Sequence, residues 1–197
     1  RFIARHMYHF FVADEPPVPQ WPYKPPRDPE AIETLSNVYF DSNYDIRSML
    51  RVLFSSRFFK SEDCRHAKVK SPAEFVAGTL RLSGEFQRPM HEMLDRNFQM
   101  IYMGQQLTNP PSVEGWHTGT EWVDTGNLVE RLNFSSEQLG DIDKPGVKAM
   151  TERIVAGGGG ELSPEQMVDG CLAELGALSV SEETRATLVE FASDRGD

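Results

Sequence analysis

The sequence contains no long hydrophobic run and few cysteines, and both absences limit what the chain can be. Among its 197 residues, no apolar stretch approaches the roughly 18 residues that a membrane-spanning helix needs. The two cysteines, Cys64 and Cys171, could form one disulfide, but sequence alone does not show whether they meet. A chain of this length can bury a core without disulfides, so the cysteine count is compatible with any compartment.

Basic residues are scarce in the second half of the chain. Residues 1–103 carry 14 Lys and Arg against 13 Asp and Glu, whereas residues 104–197 carry 6 against 17. The formal net charge of the whole chain is −10. Nucleic-acid binding requires clustered cations that neutralise phosphates, so we predict no nucleic-acid partner.

Several sequence motifs that are typical of catalytic, phosphate-binding or metal-binding sites are also missing. There is no G-x-S-x-G nucleophile motif, and no GK[ST] follows the glycines at 157–160. His6 and His9 are spaced for one helix face, and Cys64 lies two residues before His66, but neither pair has a second half at zinc spacing. We therefore predict neither a metal site nor a cofactor.

Alternating strand patterns of useful length are absent, and helical periodicity dominates. We predict a mainly α fold, an irregular bundle of about eight helices joined by long Pro- and Gly-rich loops. Cap signals mark most of the helix starts. They are Asp28 followed by Pro29, Asp45, the capping boxes at Ser71–Glu74 and Ser163–Gln166, Thr125 and Ser181.

The organisation along the chain follows from proline and glycine. Seven prolines in residues 13–29 predict an extended surface loop. We predict a main helical domain over residues 1–156, including a Trp- and Gly-rich loop at 104–124. Four glycines at 157–160 predict a hinge, and residues 161–197 a small appendage of two helices.

Residues 104–124, called here the Trp loop, are the first candidate site. Trp116 and Trp122 could stack on sugar rings while His117, Arg131 and Asn133 bond hydroxyl groups. In the alternative interpretation both tryptophans fill the core, and the glycines between them allow a tight backbone path. Both interpretations remain open from the sequence.

The same loop contains the weak catalytic candidates. His117 titrates near neutrality, and Glu121 or Asp124 could orient it for acid–base work. A deep pocket with His117 exposed beside a carboxylate would favour this reading. Two buried tryptophans and an unpartnered His117 would count against it.

Four segments give the chain a family resemblance. They are RFIARHMYHFFV at 1–12, YDIRSMLRVLFSSRFF at 44–59, KVKSPAEFVAGTLRLSG at 68–84 and GQQLTNPPSVEGWHTGTEWVDTGNLVERLNF at 104–134. In order and spacing these segments resemble the C-terminal half of the bacterial domain-of-unknown-function family 1800. The resemblance is carried by residues 1–134 and is weak beyond them.

The resemblance implies a mostly helical, exported bacterial protein, of which this chain would be one part. It also implies an exported partner protein of domain-of-unknown-function family 1501, whose genes commonly neighbour those of this family. It supplies no catalytic residue, because none is established for the family.

Two functions remain open at this point. The first is a non-enzymatic exported scaffold or binding module that acts with a partner protein or a cell-surface polymer. The alternative is a hydrolase that acts on a glycan or ester at the Trp116–Trp122 loop. We lean towards the first, and the sequence leaves the ligand and the oligomeric state open.

Overall fold

The helices begin where short polar side chains can accept the unpaired N–H groups of a first turn. Asp28 accepts the N–H of Ala31 at 2.9 Å, with Pro29 in the first helical position. Asp45 accepts the N–H groups of Arg47 and Ser48. These side chains satisfy donors that a helix start would otherwise leave open, so the predicted cap residues determine where the helices start.

The computed structural model describes residues 1–16 and 23–194. This part of the chain forms ten α-helices and contains no β-strand, which confirms the predicted mainly α fold. The helices are α1 Phe2–Phe11, α2 Pro29–Asp41, α3 Ile46–Ser55, α4 Arg57–Lys60, α5 Pro72–Ser83, α6 Arg96–Tyr102, α7 Thr125–Leu139, α8 Pro145–Gly158, α9 Pro164–Glu174 and α10 Glu182–Asp194. Three 3₁₀ turns lie at Glu62–Cys64, His91–Asp95 and Gly119–Trp122.

The chain packs into two compact units, and the first comprises Arg1–Phe75 and Arg96–Glu130. In this unit α2 packs against both α1 and α3. Apolar side chains of the three helices and of the residues that follow α1 form one buried core: Ala4, Tyr8, Val12, Ala13, Ala31, Ile32, Leu35, Met49 and Leu53. The Tyr8 hydroxyl is buried near Cys64, and the burial raises its pKa above the ordinary value.

The second unit comprises Val76–Asp95 and Arg131–Asp197. Its C-terminal helices are joined by two ion pairs, Arg153 with Glu174 between α8 and α9, and Arg185 with Asp169 between α9 and α10. Deeper in the unit, the buried Gln138 amide oxygen accepts from Ser83 Oγ at 3.0 Å and from Lys144 Nζ at 2.7 Å. The unit therefore combines exposed charge pairs with a buried polar network.

The glycine run at 157–160 is partly helical. Helix α8 continues through Gly157 to Gly158, and Gly159 ends it in the left-handed conformation at φ 78°. Helices α9 and α10 then pack against each other, and α9 also packs against α8. The independence of 161–197 as an appendage stays a prediction.

The proline-rich segment is described only at its two ends. Residues 13–16 and 23–27 contain no helix. The rest of the predicted extended loop, at 17–22, lies outside the described residues.

Two further observations bear on questions that the sequence left open. Cys64 and Cys171 both carry free thiols. None of the helices in the described ranges combines the length and the apolar character that crossing a membrane requires.

Gly146 gives a test of the packing in the second unit. A Cβ on Gly146 would overlap the carbonyl oxygen of Leu82 and lie 2.7 Å from the carbonyl carbon of Ser83. Backbone atoms cannot move aside as a side-chain tip can, so we expect Gly146→Ala to lower the free energy of unfolding by about 2 kcal/mol.

A matched control lies on the same helix. Among the described residues, no atom outside its own stretch of helix lies within 4 Å of the place that a Cβ at Gly157 would take, so Gly157→Ala should raise the free energy of unfolding by roughly 0.5 kcal/mol through helix propensity. Urea denaturation of both variants measures the difference. Equal effects of the two substitutions would contradict the close approach at Gly146.

Candidate functional site

A cleft of about 660 Å³ lies in the first unit between helix α1, the residues that follow it and the Trp loop. Polar side chains of helix α1 line one wall of the cleft, and the Trp loop forms the opposite wall. The lining residues are Arg5, His6, His9, Glu15, Pro16, Pro111, Ser112, Glu114, Gly115, Trp116, His117, Thr118 and Glu121. Three of the five histidines of the chain line this one cleft.

The two tryptophans of the Trp loop have different roles. Trp122 ends the 3₁₀ turn and is only 3% exposed, so it belongs to the interior. Trp116 is half-buried and lines the cleft, and its indole nitrogen has no hydrogen-bond partner among the described residues. Each of the two interpretations therefore applies to one ring. Trp122 packs in the interior, and Trp116 lines the cleft.

His117 and Glu121 form the pair that the sequence suggested. Glu121 lies in the 3₁₀ turn that follows His117, and His117 Nδ1 lies 3.2 Å from Glu121 Oε2. Their side chains are 58% and 59% exposed. The His117 ring also meets Trp122 edge to face, with ring centroids 5.9 Å apart, so two contacts orient the imidazole at the cleft.

The path of the loop depends on Gly119, whose φ of +60° is in the left-handed region that glycine adopts without strain. A Cβ at this position would lie 3.4 Å from the carboxylate of Asp14. Asp14 in turn accepts the N–H of Val69 at 2.8 Å. The 3₁₀ turn is thus packed closely against the segment that follows α1.

Asp124 is used in a helix cap. Its Oδ1 accepts the N–H of Asn127 at 2.9 Å, and its Oδ2 accepts from the Asn127 side chain at 2.7 Å. Asp124 therefore stabilises the start of α7, and the prediction that Thr125 caps this helix is wrong by one residue. With both oxygens bonded at the cap, Asp124 is not positioned by the structure beside His117.

Arg131 and Asn133 belong to α7 in the second unit and do not line the cleft. Arg131 is 8% exposed, and burial lowers the pKa of its guanidinium. Asn133 is exposed. Helix α7 buries Arg131, Phe134 and Gln138, whereas its apolar residues Leu128, Val129 and Leu132 are exposed.

Sequence reasoning missed the buried ion pair between Arg5 and Glu15, which lies beneath the cleft. Arg5 Nη2 lies 3.3 Å from Glu15 Oε2, and the two side chains are 6% and 2% exposed. The Arg5 guanidinium also donates to the carbonyl oxygens of Pro16 at 3.0 Å and Lys24 at 3.3 Å. The N–H of Arg27 donates to Glu15 Oε1 at 2.7 Å.

His9 completes this network. The backbone N–H of Glu15 donates to His9 Nδ1 at 3.0 Å. Burial lowers the pKa of His9, and the nearby Lys68 ammonium lowers it further. For Glu15, burial raises the carboxyl pKa, although the Arg27 N–H and the Arg5 charge act in the opposite direction. A signal for this network existed in the sequence, since Arg5 and His9 lie four residues apart and so share one face of a helix that is rich in apolar residues.

Lys68 and Glu74, which lie near the start of α5, have structural roles. Lys68 Nζ donates to the carbonyl oxygens of His9 and Phe10 at 2.7 and 2.9 Å, which satisfies the C-terminal end of α1. Glu74 and Ser71 exchange the two hydrogen bonds of the predicted capping box. Across the described residues, no three His, Cys, Asp or Glu side chains are grouped as metal ligands would be.

The buried pair can be tested by replacing its carboxylate. Glu15→Gln keeps the size of the side chain and an acceptor for the Arg27 N–H, but it leaves the Arg5 charge buried without a counter-charge. We expect a loss of about 3 kcal/mol in the free energy of unfolding. As a control, Glu62 pairs with Arg65 while 88% exposed, so Glu62→Gln should cost less than about 0.5 kcal/mol. Similar losses in both variants by urea denaturation would contradict a special role for the buried pair.

Comparison with known proteins places the chain in a family without naming an activity. The profile of one family, described as "Protein of unknown function (DUF1800)", matches residues 1–197, and so extends beyond the segment that carried the resemblance. Comparison with curated proteins and with solved structures gives no match. Since the family profile matches the entire chain, the protein belongs to the DUF1800 family.

Proposed function

We propose that this chain is part of an exported bacterial binding module without catalytic activity, and that its cleft binds a segment of a neutral, hydroxyl-rich polymer at the cell surface. The observation that carries the proposal is a cleft with an aromatic wall and, among the described residues, no Arg or Lys that is free to bind an anion. Its volume of about 660 Å³ lies within the range of about 300–1,000 Å³ that is usual for ligand sites.

The aromatic wall is the first support. Trp116 is half-buried, so the loop holds the ring while part of it faces the cleft. A large, rigid aromatic ring can pack against the apolar face of a sugar at low cost in conformational entropy. The neighbouring Pro111 and Gly115 leave room beside the ring, because neither has a long side chain.

The charges around the cleft are the second support. Among the described residues, the only Arg or Lys that lines it is Arg5, whose charge is paired with Glu15 and whose terminal nitrogens bond protein oxygens. Glu114 and Glu121 are exposed on the opposite wall. Carboxylates accept hydrogen bonds from hydroxyl groups and repel acidic ligands, so this cleft suits a neutral polyol better than an anion.

Trp116→Ala tests the proposal. Loss of an anchoring aromatic ring should weaken binding to soluble, neutral polysaccharides by roughly tenfold to a hundredfold, as measured by isothermal titration calorimetry. Tyr102→Ala is the control, because Tyr102 is 60% exposed and does not line the cleft. Equal affinity of the two variants would overturn the assignment of the cleft. A wild-type protein that binds only a family-1501 protein would replace the polymer with a protein partner.

The His117–Glu121 pair favours a second candidate, a hydrolase that acts on a glycan or ester. His117 is exposed beside a carboxylate within hydrogen-bond reach, which is the arrangement that acid–base catalysis needs. If the protein turns over such a substrate, Glu121→Gln should lower kcat/KM by roughly a hundredfold, whereas Glu62→Gln on the exposed surface should not change it. Turnover that survives in Glu121→Gln would exclude this pair as the catalytic group.

A further inference from the structure

The hydrogen bond from the Glu15 N–H to His9 Nδ1 depends on the protonation state of His9. A ring nitrogen can accept only when it carries no proton, so this bond requires a neutral imidazole with its hydrogen on Nε2. If His9 gained a proton, Nδ1–H and the backbone N–H would face each other as two donors at 3.0 Å. The contact would then change from attractive to repulsive, and the buried N–H would lose its partner.

Glu15 is connected to the rest of the cleft by the groups described above. Its carboxylate holds Arg5 and the N–H of Arg27, and Arg5 holds the carbonyl oxygens of Pro16 and Lys24. Glu15 and Pro16 both line the cleft. A shift of the Glu15 backbone would therefore change the shape of the cleft itself.

The charged groups around His9 come from each element packed against it. On α1 these groups are His6 and Arg5, and Arg5 is paired with Glu15. The segment before α5 contributes Lys68, whose ammonium group donates to the carbonyl oxygen of His9. Asp14, which follows α1, raises the pKa of His9, whereas Lys68 and His6 lower it. Across the cleft, the Trp loop contributes Glu114, His117 and Glu121, of which the last two are paired.

We propose that His9 is the positioning residue of the cleft, and that its protonation in mildly acidic solution releases Glu15 and Pro16 and lowers the affinity for ligand. The effect on affinity rests on the proposed function, whereas the release itself does not. Ligand binding would thus be retained near neutral pH and lost on acidification.

The direction of the pH dependence follows from the neutral state of His9. Its pKa in the folded protein is lower than the ordinary value, chiefly because of burial, and Lys68 adds to the effect. The stabilisation that the neutral ring contributes is fully present above the ordinary histidine pKa of about 6.5. It is lost progressively as the pH falls below that value towards the pKa of the folded state.

Nuclear magnetic resonance on the wild-type protein tests the release without any ligand. We expect His9 to titrate below pH 6.5, with its proton on Nε2 at neutral pH. The Glu15 amide should exchange slowly at pH 7.5, and at pH 5 its protection, corrected for the intrinsic exchange rate, should fall by about tenfold. A His9 pKa at or above the ordinary value, a proton on Nδ1, or unchanged protection would each overturn the proposal.

His9→Gln is the matching variant, because its side-chain oxygen can accept the same N–H and does not titrate. In this variant we expect the Glu15 amide to stay protected at pH 5. His66→Gln is the control, since His66 is exposed and does not line the cleft, and it should behave as wild type. If His9→Gln does not fold, the wild-type titration and exchange still decide the matter.

Calorimetry with a soluble, neutral polysaccharide at pH 7.5 and 5 tests the consequence for binding. Wild type should lose about tenfold in affinity on acidification, and His9→Gln should lose less than about twofold. A wild-type loss that persists in His9→Gln would contradict the role of His9. Absence of binding at both pH values, together with the expected exchange behaviour, would refute the proposed function and leave the release of Glu15 in place.

Discussion

The buried ion pair between Arg5 and Glu15 is the interaction on which the cleft depends. Removing two charges from water is costly, and their mutual attraction offsets that cost only when the remaining hydrogen-bonding groups also find partners. Here the carbonyls of Pro16 and Lys24 and the N–H of Arg27 supply partners, while Arg5 Nε and Glu15 Oε2 form no hydrogen bond with the described residues. The pair therefore fixes the ends of a proline-rich segment against α1, where helix formation alone could not position it.

The same pair determines what the cleft offers a ligand. Because Arg5 is neutralised and its terminal nitrogens bond protein oxygens, it cannot serve as an anion receptor without breaking the network. The polar groups left for a ligand are the histidines on α1 and the groups of the Trp loop. If the proposed binding function holds, structural stability and ligand selectivity are linked through one guanidinium group, and a variant that freed it would change both.

Local features of this protein could be predicted from its sequence, and features formed by distant residues could not. Asp28, Asp45, Ser71 and Ser163 cap helices as expected, since a cap involves only neighbouring residues. The error at the start of α7 has the same origin, because Asp124 and Thr125 are adjacent and both can cap. The same helix exposes Leu128, Val129 and Leu132, which the sequence does not reveal, because an amphipathic pattern does not say which face meets the core.

The candidate site shows the same difference between features formed by neighbouring residues and features formed by distant ones. The His117–Glu121 pair was predictable because its members are four positions apart, whereas the cleft is lined by residues of α1 and of the Trp loop that are more than 100 positions apart. Arg5 and Glu15 are nearer in sequence, but a proline-rich segment gives no periodicity from which their contact could be inferred. The tryptophans illustrate the same limit, since sequence shows two large rings and only the fold shows which one is enclosed.

The exposure of the His117–Glu121 pair is the reason why we propose binding, and not catalysis, for this cleft. Acid–base and electrostatic catalysis gain most of their strength where water is excluded, because interactions between charges are much weaker in a medium of high dielectric constant. More than half of each side chain in this pair is exposed, so solvent competes for both groups. The buried polar network lies on the opposite side of the cleft, where His9 and Glu15 bond the backbone and each other. Among the described residues, the buried groups maintain the shape of the cleft, and the groups that would face a ligand are exposed to solvent.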